Sequence, residues 1–279
     1  MSDLSHTDVY TLPTLVDLLQ HRADVQGQQA AYTFLGDGER DTVTWTYADL
    51  DRQARAIGAT LQAYQSTNQR VVLLYPPGLD YIAAFFGCLY AGAIAVPAYP
   101  PQSARLDRAN ARRLLAIVSD AQPHIILTLA SIGNAIEQMV SQIPSVAAIR
   151  WIATDRLEAD AQQAWQMPAI HSQTIVFLQY TSGSTAAPKG VMVSHQNLLH
   201  NERMIQQAFG HDMATCVVGW LPLYHDMGLI GNVLQPLALG GQAILMSPVA
   251  FLQRPLRWLQ AISQYRATTS GGPNFAYDL

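Results

Sequence analysis

Residues 180–190 read Tyr-Thr-Ser-Gly-Ser-Thr-Ala-Ala-Pro-Lys-Gly and follow an apolar run that ends in Leu178-Gln179. Gly183 lets the backbone approach a bound group closely, and consecutive N–H groups around it can converge on an anion. Ser182, Ser184 and Thr185 offer hydroxyls, Lys189 offers a positive charge, and Pro188 stiffens the approach to it. Such a loop suits the β- and γ-phosphates of ATP. It is not the Walker A pattern, in which the lysine follows the second glycine, because here Lys189 precedes Gly190. A P-loop kinase or ATPase is therefore disfavoured.

Two further stretches carry candidate chemistry. Residues 220–228 read Trp-Leu-Pro-Leu-Tyr-His-Asp-Met-Gly. His225 can donate a hydrogen bond. Asp226 can either orient that ring or accept from the first N–H groups of a helix starting near Gly228, and the capping role is the expected one. Residues 269–277 read Thr-Ser-Gly-Gly-Pro-Asn-Phe-Ala-Tyr. Gly271 and Gly272 leave space for a substrate chain, and Phe275 and Tyr277 can form an apolar wall.

The elements that must hold these residues read as an α/β fold. A turn at Gly36-Asp37-Gly38 joins β-rich runs over 31–35 and 42–46. Thr46 and Asp49 mark a helix start, and Leu50, Ala54, Ile57, Leu61 and Tyr64 share one face of that helix. Strands follow over 70–75, 93–97, 124–128 and 147–152, alternating with helices over 79–90, 104–119 and 132–142. The strands are apolar throughout rather than alternating, which implies a parallel sheet covered on both faces. Residues 155–172 read as a surface connection. A second α/β stretch is expected from 174, with strands over 174–180, 191–193, 214–220 and 242–246. Its helices run from 194 to about 208, over 229–239 and over 254–265, and another strand begins at 268. The expected division is therefore 1–172 and 173–279.

Composition narrows the function. Of 279 residues 49% are hydrophobic and only 13% charged, so a large core can be buried. The net charge of -4, with no Lys/Arg run, argues against nucleic acid and against a polybasic membrane anchor. Residues 81–96 are almost wholly apolar, but they fall short of the roughly 20 needed to span a bilayer. Gly87 and Gly92 interrupt them and Pro97 ends them. Cys88 and Cys216 lie in apolar runs without metal-ligand spacing, which fits buried thiols in a reducing cytoplasm.

The 180–190 loop resembles the signature loop of the adenylate-forming superfamily, which includes acyl-CoA synthetases, luciferases and the adenylation domains of peptide synthetases. Ala186 stands where many members carry Gly. The wording is similar to fatty acyl-AMP ligases in Leu73-Leu-Tyr-Pro-Pro-Gly-Leu79, in Ala83-Ala-Phe-Phe-Gly-Cys-Leu-Tyr-Ala-Gly92, in Val96-Pro-Ala-Tyr-Pro-Pro101 and in His225-Asp-Met-Gly-Leu-Ile-Gly231. The resemblance implies stacked parallel-type sheets flanked by helices, an incomplete N-terminal domain of the adenylate-forming fold. It implies that Thr181, Ser182, Gly183, Ser184, Thr185 and Lys189 hold the ATP phosphates, with Thr185 also near Mg2+. It implies a catalytic role for His225 and Lys189, His225 lying where carboxylate and α-phosphate meet. A donor there offsets the repulsion of two anions and stabilises the charge that develops on attack. Gly271, Gly272, Pro273, Phe275 and Tyr277 would line the acyl tunnel.

The reaction so implied joins a medium- to long-chain fatty acid to AMP, releasing pyrophosphate, and passes the acyl group to an acyl carrier protein, commonly for polyketide or lipopeptide synthesis. A long-chain acyl-CoA ligase and a non-catalytic nucleotide- or carrier-binding module are the alternatives. The metal-binding Glu, the ribose-binding Asp and the lysine-bearing C-terminal lid domain of relatives are not found within these residues. Negligible turnover is therefore expected of the 279 residues alone, with apolar surface left for the missing C-terminal portion or for a partner chain.

Overall fold

In chain order the helices of the computed structural model are α1 (Leu15–Gln26), α2 (Tyr47–Ala63), α3 (Leu79–Tyr90), α4 (Arg108–Ala121) and α5 (His195–Phe209). A π-helix (Met227–Leu234) then runs into α6 (Gln235–Leu239), followed by α7 (Pro248–Gln253) and α8 (Leu256–Tyr265). The strands are β1 (Ala30–Leu35), β2 (Asp41–Thr46), β3 (Arg70–Leu73), β4 (Ile94–Pro97), β5 (Ile125–Thr128), β6 (Arg150–Ala153), β7 (Ile175–Thr181), β8 (Lys189–Ser194), β9 (Cys216–Gly219), β10 (Gln242–Met246) and β11 (Thr269–Ser270). The structure describes residues 8–99, 108–133, 146, 148–158, 160–181 and 188–279. The N-terminal part of the helix expected from 104, and nearly all of that expected over 132–142, lie outside these.

The chain forms two units. One holds residues 1–51, 77–79 and 195–279, and the other 52–76 and 80–194. This differs from a cut at residue 172, and the reason is strand pairing. The N-terminal hairpin β1–β2 joins the late strands, because β1 lies parallel to β10. The hairpin β7–β8 joins the early strands, because β7 lies parallel to β4. Each sheet is parallel except for one antiparallel edge strand, β2 in the order β11-β9-β10-β1-β2 and β8 in the order β6-β5-β3-β4-β7-β8. An antiparallel edge needs only a tight turn, whereas a parallel neighbour needs a crossover.

In the second unit α4 packs Leu114, Ile117 and Val118 on Val72, Val96 and Ile126 of the sheet. Helix α3 is apolar all round and buried, which explains the 81–96 run as a core helix followed by a core strand. Among the described residues no helix is long and apolar enough to cross a membrane. Gly87 is required there, since a Cβ would fall 2.4 Å from Ile57 Cγ2.

The first unit buries Val218, Trp220, Ile244, Phe251 and Trp258 between its sheet and helices α7 and α8. Helix α8 answers the helix expected over 254–265, and the short α7 before it was not expected; Pro255, with no N–H to continue α7, separates the two. The start of α2 is a reciprocal cap. Asp49 N donates to Thr46 Oγ1 at 3.1 Å and Thr46 N donates to Asp49 Oδ2 at 3.0 Å. Buried Arg22 of α1 donates to the carbonyls of Leu237 and Ala238 at 3.1 and 2.6 Å, satisfying the end of α6 with a cation where the helix dipole is negative.

Candidate functional site

The candidate phosphate loop joins the two strands of a hairpin, β7 and β8. Thr181 pairs with Lys189 and Tyr180 with Gly190, so the ends of the loop are held side by side. The neck is braced from below. Gly190 admits the Tyr180 ring, since a Cβ there would lie 3.0 Å from Cζ, and Tyr180 donates from its hydroxyl to Asp120 Oδ2 at 2.5 Å. Burial is the main cause that raises the Tyr180 phenol above its ordinary value, so it stays a donor. Lys189 is exposed. Ser182, Gly183, Ser184 and Thr185, with the Thr181 side chain, lie outside the described residues. An exposed cation at the neck of a Ser/Thr/Gly loop fits a triphosphate.

In the first unit residues 220–228 fold into a tight loop that feeds the π-helix. His225 N donates to Pro222 O at 3.1 Å. A Cβ on Gly228 would fall 2.1 Å from that same oxygen, so only glycine fits. Asp226 Oδ1 accepts from Met227 N at 2.7 Å and so caps the helix, with His225 Nδ1 at 3.4 Å from the same oxygen. His225 is 53% exposed, which leaves its ring open to a ligand rather than tied into the core. The helix then winds wide, with Gln235 N donating to Ile230 O five residues back. Met227, Gly231, Asn232 and Gln235 come to one side and line a cavity of about 410 Å³.

That cavity is largely apolar and is completed by Ile205 and Phe209 of α5, His211, Val217 and Leu221, together with Asp226, Ile230 and Thr269-Ser270-Gly271. Of the 271–277 stretch only Gly271 lines it. Gly272 instead faces Trp220, where a Cβ would lie 3.0 Å from Cζ2. Pro273 precedes a short turn, and Phe275 and Tyr277 are exposed and lean on Trp220 and Trp258, at ring distances of 6.1 and 5.6 Å. Sequence reasoning missed Phe209, His211, Asn232, Gln235 and Thr269. Asn232 and Gln235 had a signal, as polar residues inside the apolar run 229–239. His211 had a weaker one in Gly210, whose φ of 64° stops α5 so that His211 N returns to Gln206 O at 3.0 Å.

Among the described residues no three His, Cys, Asp or Glu side chains converge as a metal site. Thr185, which the resemblance led us to expect near magnesium, lies outside the described residues.

Comparison with known proteins sets these features in context. Over 266 residues the chain is 47% identical to the medium-chain-fatty-acid–[acyl-carrier-protein] ligase JamA of Moorena producens (strain JHB), covering 95% of this chain and 45% of that protein. It is 37% identical to the long-chain-fatty-acid–AMP ligase FadD23 of Mycobacterium tuberculosis (strain CDC 1551 / Oshkosh), covering 95% of this chain and 46% of that protein. The fold matches a fatty acyl-adenylate ligase from L. pneumophila, solved with acyl adenylate and pyrophosphate, at a TM-score of 0.89 and 45% identity over 98% of this chain and 46% of that one. The chain thus spans about half the length of the relatives it matches. A family profile described as AMP-binding enzyme matches residues 19–279. With that match over most of its length, the chain belongs to the family of AMP-binding enzymes.

Proposed function

We propose that the chain supplies the phosphate-binding and acyl-binding parts of an enzyme that activates a medium- to long-chain fatty acid with ATP and delivers it to an acyl carrier protein. A carboxylate oxygen attacks the α-phosphorus, the bond to the β-phosphate oxygen breaks, and acyl-adenylate and pyrophosphate result. The loop from Thr181 to Lys189 holds the departing pyrophosphate. His225 donates to the oxygens on which charge gathers. The cavity beside Asp226 and Gly271 takes the acyl chain and keeps water from it. The Thr185 hydroxyl is the oxygen donor that would help hold a magnesium ion, which when bound would neutralise charge on the triphosphate. The phosphopantetheine thiol of the carrier then takes the acyl group and AMP leaves. Two free, buried cysteines support a cytoplasmic setting.

The observation that supports this reading most is the apolar cavity walled by the segment that carries His225 and by Gly271. The experiment is exchange of labelled pyrophosphate into ATP by a polypeptide of the relatives' length containing this chain. Exchange that requires decanoic acid and magnesium is expected, with a loss of about a hundredfold in His225→Ala. Exchange indifferent to the acid would refute the proposal. Transfer of the product to coenzyme A instead of a carrier protein would make the enzyme an acyl-CoA ligase.

A further inference from the structure

The cavity beside His225 has two distinct ends. Gly271 and Met227 meet at one of them, where a Cβ on the glycine would lie 3.8 Å from Met227 Cε. Met227 follows His225 and Asp226 in the chain, so this end is the head, where the carboxylate is to be activated. The π-helix Met227–Leu234 leads away from it to Gln235. The Gln235 side-chain amide lies 3.4 Å from His211 Nδ1, and His211 Nε2 shares a hydrogen bond of 2.7 Å with the Thr269 hydroxyl. Gln235, His211 and Thr269 therefore mark the opposite end, the tail.

At the tail stands Phe209, the last residue of α5. Gly210, with a φ of 64°, reverses the chain after it, a conformation that glycine adopts without strain. The Phe209 ring thereby comes against the His211 ring, with centroids 5.4 Å apart and planes 26° from parallel. Both rings line the cavity, as does Ile205 one helical turn earlier. His211 is anchored by Thr269 on one side and Gln235 on the other, so the stack holds Phe209 in position. Yet Phe209 is 70% exposed. A ring that lines the cavity while most of its surface meets water is a thin wall between the two. Shortening it opens the tail to solvent, whereas shortening a core residue would leave a sealed void.

We infer that Phe209, steadied by His211, caps the tail of the acyl cavity and sets the longest acyl chain it takes. The inference rests on the reading of this cavity as the acyl site. The test uses a polypeptide of the relatives' length containing this chain. Acid-dependent exchange of labelled pyrophosphate into ATP is measured with saturated acids from octanoic to octadecanoic, and kcat/KM is compared between acids within each variant. The ratio for hexadecanoic over decanoic acid should rise about tenfold in Phe209→Ala, because added methylenes no longer meet a wall. The bulkier Phe209→Trp should move the ratio of decanoic over octanoic acid downward. Ratios that stay at the parent's values in both variants, including a fall shared equally by all the acids, would overturn the inference and leave the acyl reading standing. Exchange indifferent to the acid in the parent would overturn both.

Discussion

At the scale of single residues, the candidate site is held in shape by close approaches that glycine alone permits. Gly228 is the sharpest case, because the Pro222 carbonyl occupies the space of its missing Cβ. Gly228→Ala should cost about 2–4 kcal/mol in denaturant unfolding and release the loop that presents His225. An unchanged midpoint would show that the loop can open without penalty. The candidate residues stood out in the sequence because their types are unusual in combination: a hydroxyl-rich loop with a lysine, and a histidine in a Pro-to-Gly segment. Which residues line the cavity was not legible. Phe275 and Tyr277 read as its wall because they are aromatic, yet they pack edge-on or tilted against Trp220 and Trp258 elsewhere.

The elements carry their own logic. Helix α3 and strand β10 fall at the boundaries read from pattern, since apolar periodicity and Gly or Pro punctuation agree there. The π-helix was not legible, because a wide turn differs from an α-turn by one residue of slack and leaves no mark in apolar spacing. Its consequence is chemical: Gln235 turns inward beside Glu202, and the Asn232 amide packs on Gly219. Burial raises the Glu202 pKa, so the folded state holds a proton that the unfolded chain releases above its ordinary value of 4.5. The slope of stability with pH is negative in that range, so stability is greatest below 4.5 and falls as pH rises toward the folded pKa. His211, whose pKa is lowered, acts in the opposite sense, costing stability as pH falls below 6.5. Glu202→Gln removes only the first effect. Its thermal midpoint should exceed that of the parent by a margin that widens from pH 5 to pH 8. A margin independent of pH would mean that Glu202 is ionised in the fold.

For the molecule as a whole, the α/β class and the parallel strands followed from uninterrupted apolar runs, whereas the division into units did not. Pairing of β1 with β10 joins residues more than two hundred positions apart, and no local pattern encodes such a contact. The first unit also leaves apolar side chains in water. Leu256 and Leu259, three apart on one face of α8, are about half exposed, as is Leu252 of α7. Replacing Leu256 and Leu259 with lysine should reduce concentration-dependent association in sedimentation experiments while shifting the thermal midpoint little. Association unaffected by the change would place the sticky surface elsewhere. The account depends above all on the loop between β7 and β8 gripping a triphosphate. Calorimetric titration of ATP with magnesium into the chain tests that directly. Saturable binding is predicted, weakened about tenfold or more in Lys189→Ala through loss of a charged hydrogen bond. Binding of equal strength in that variant, or no binding in the parent, would contradict it.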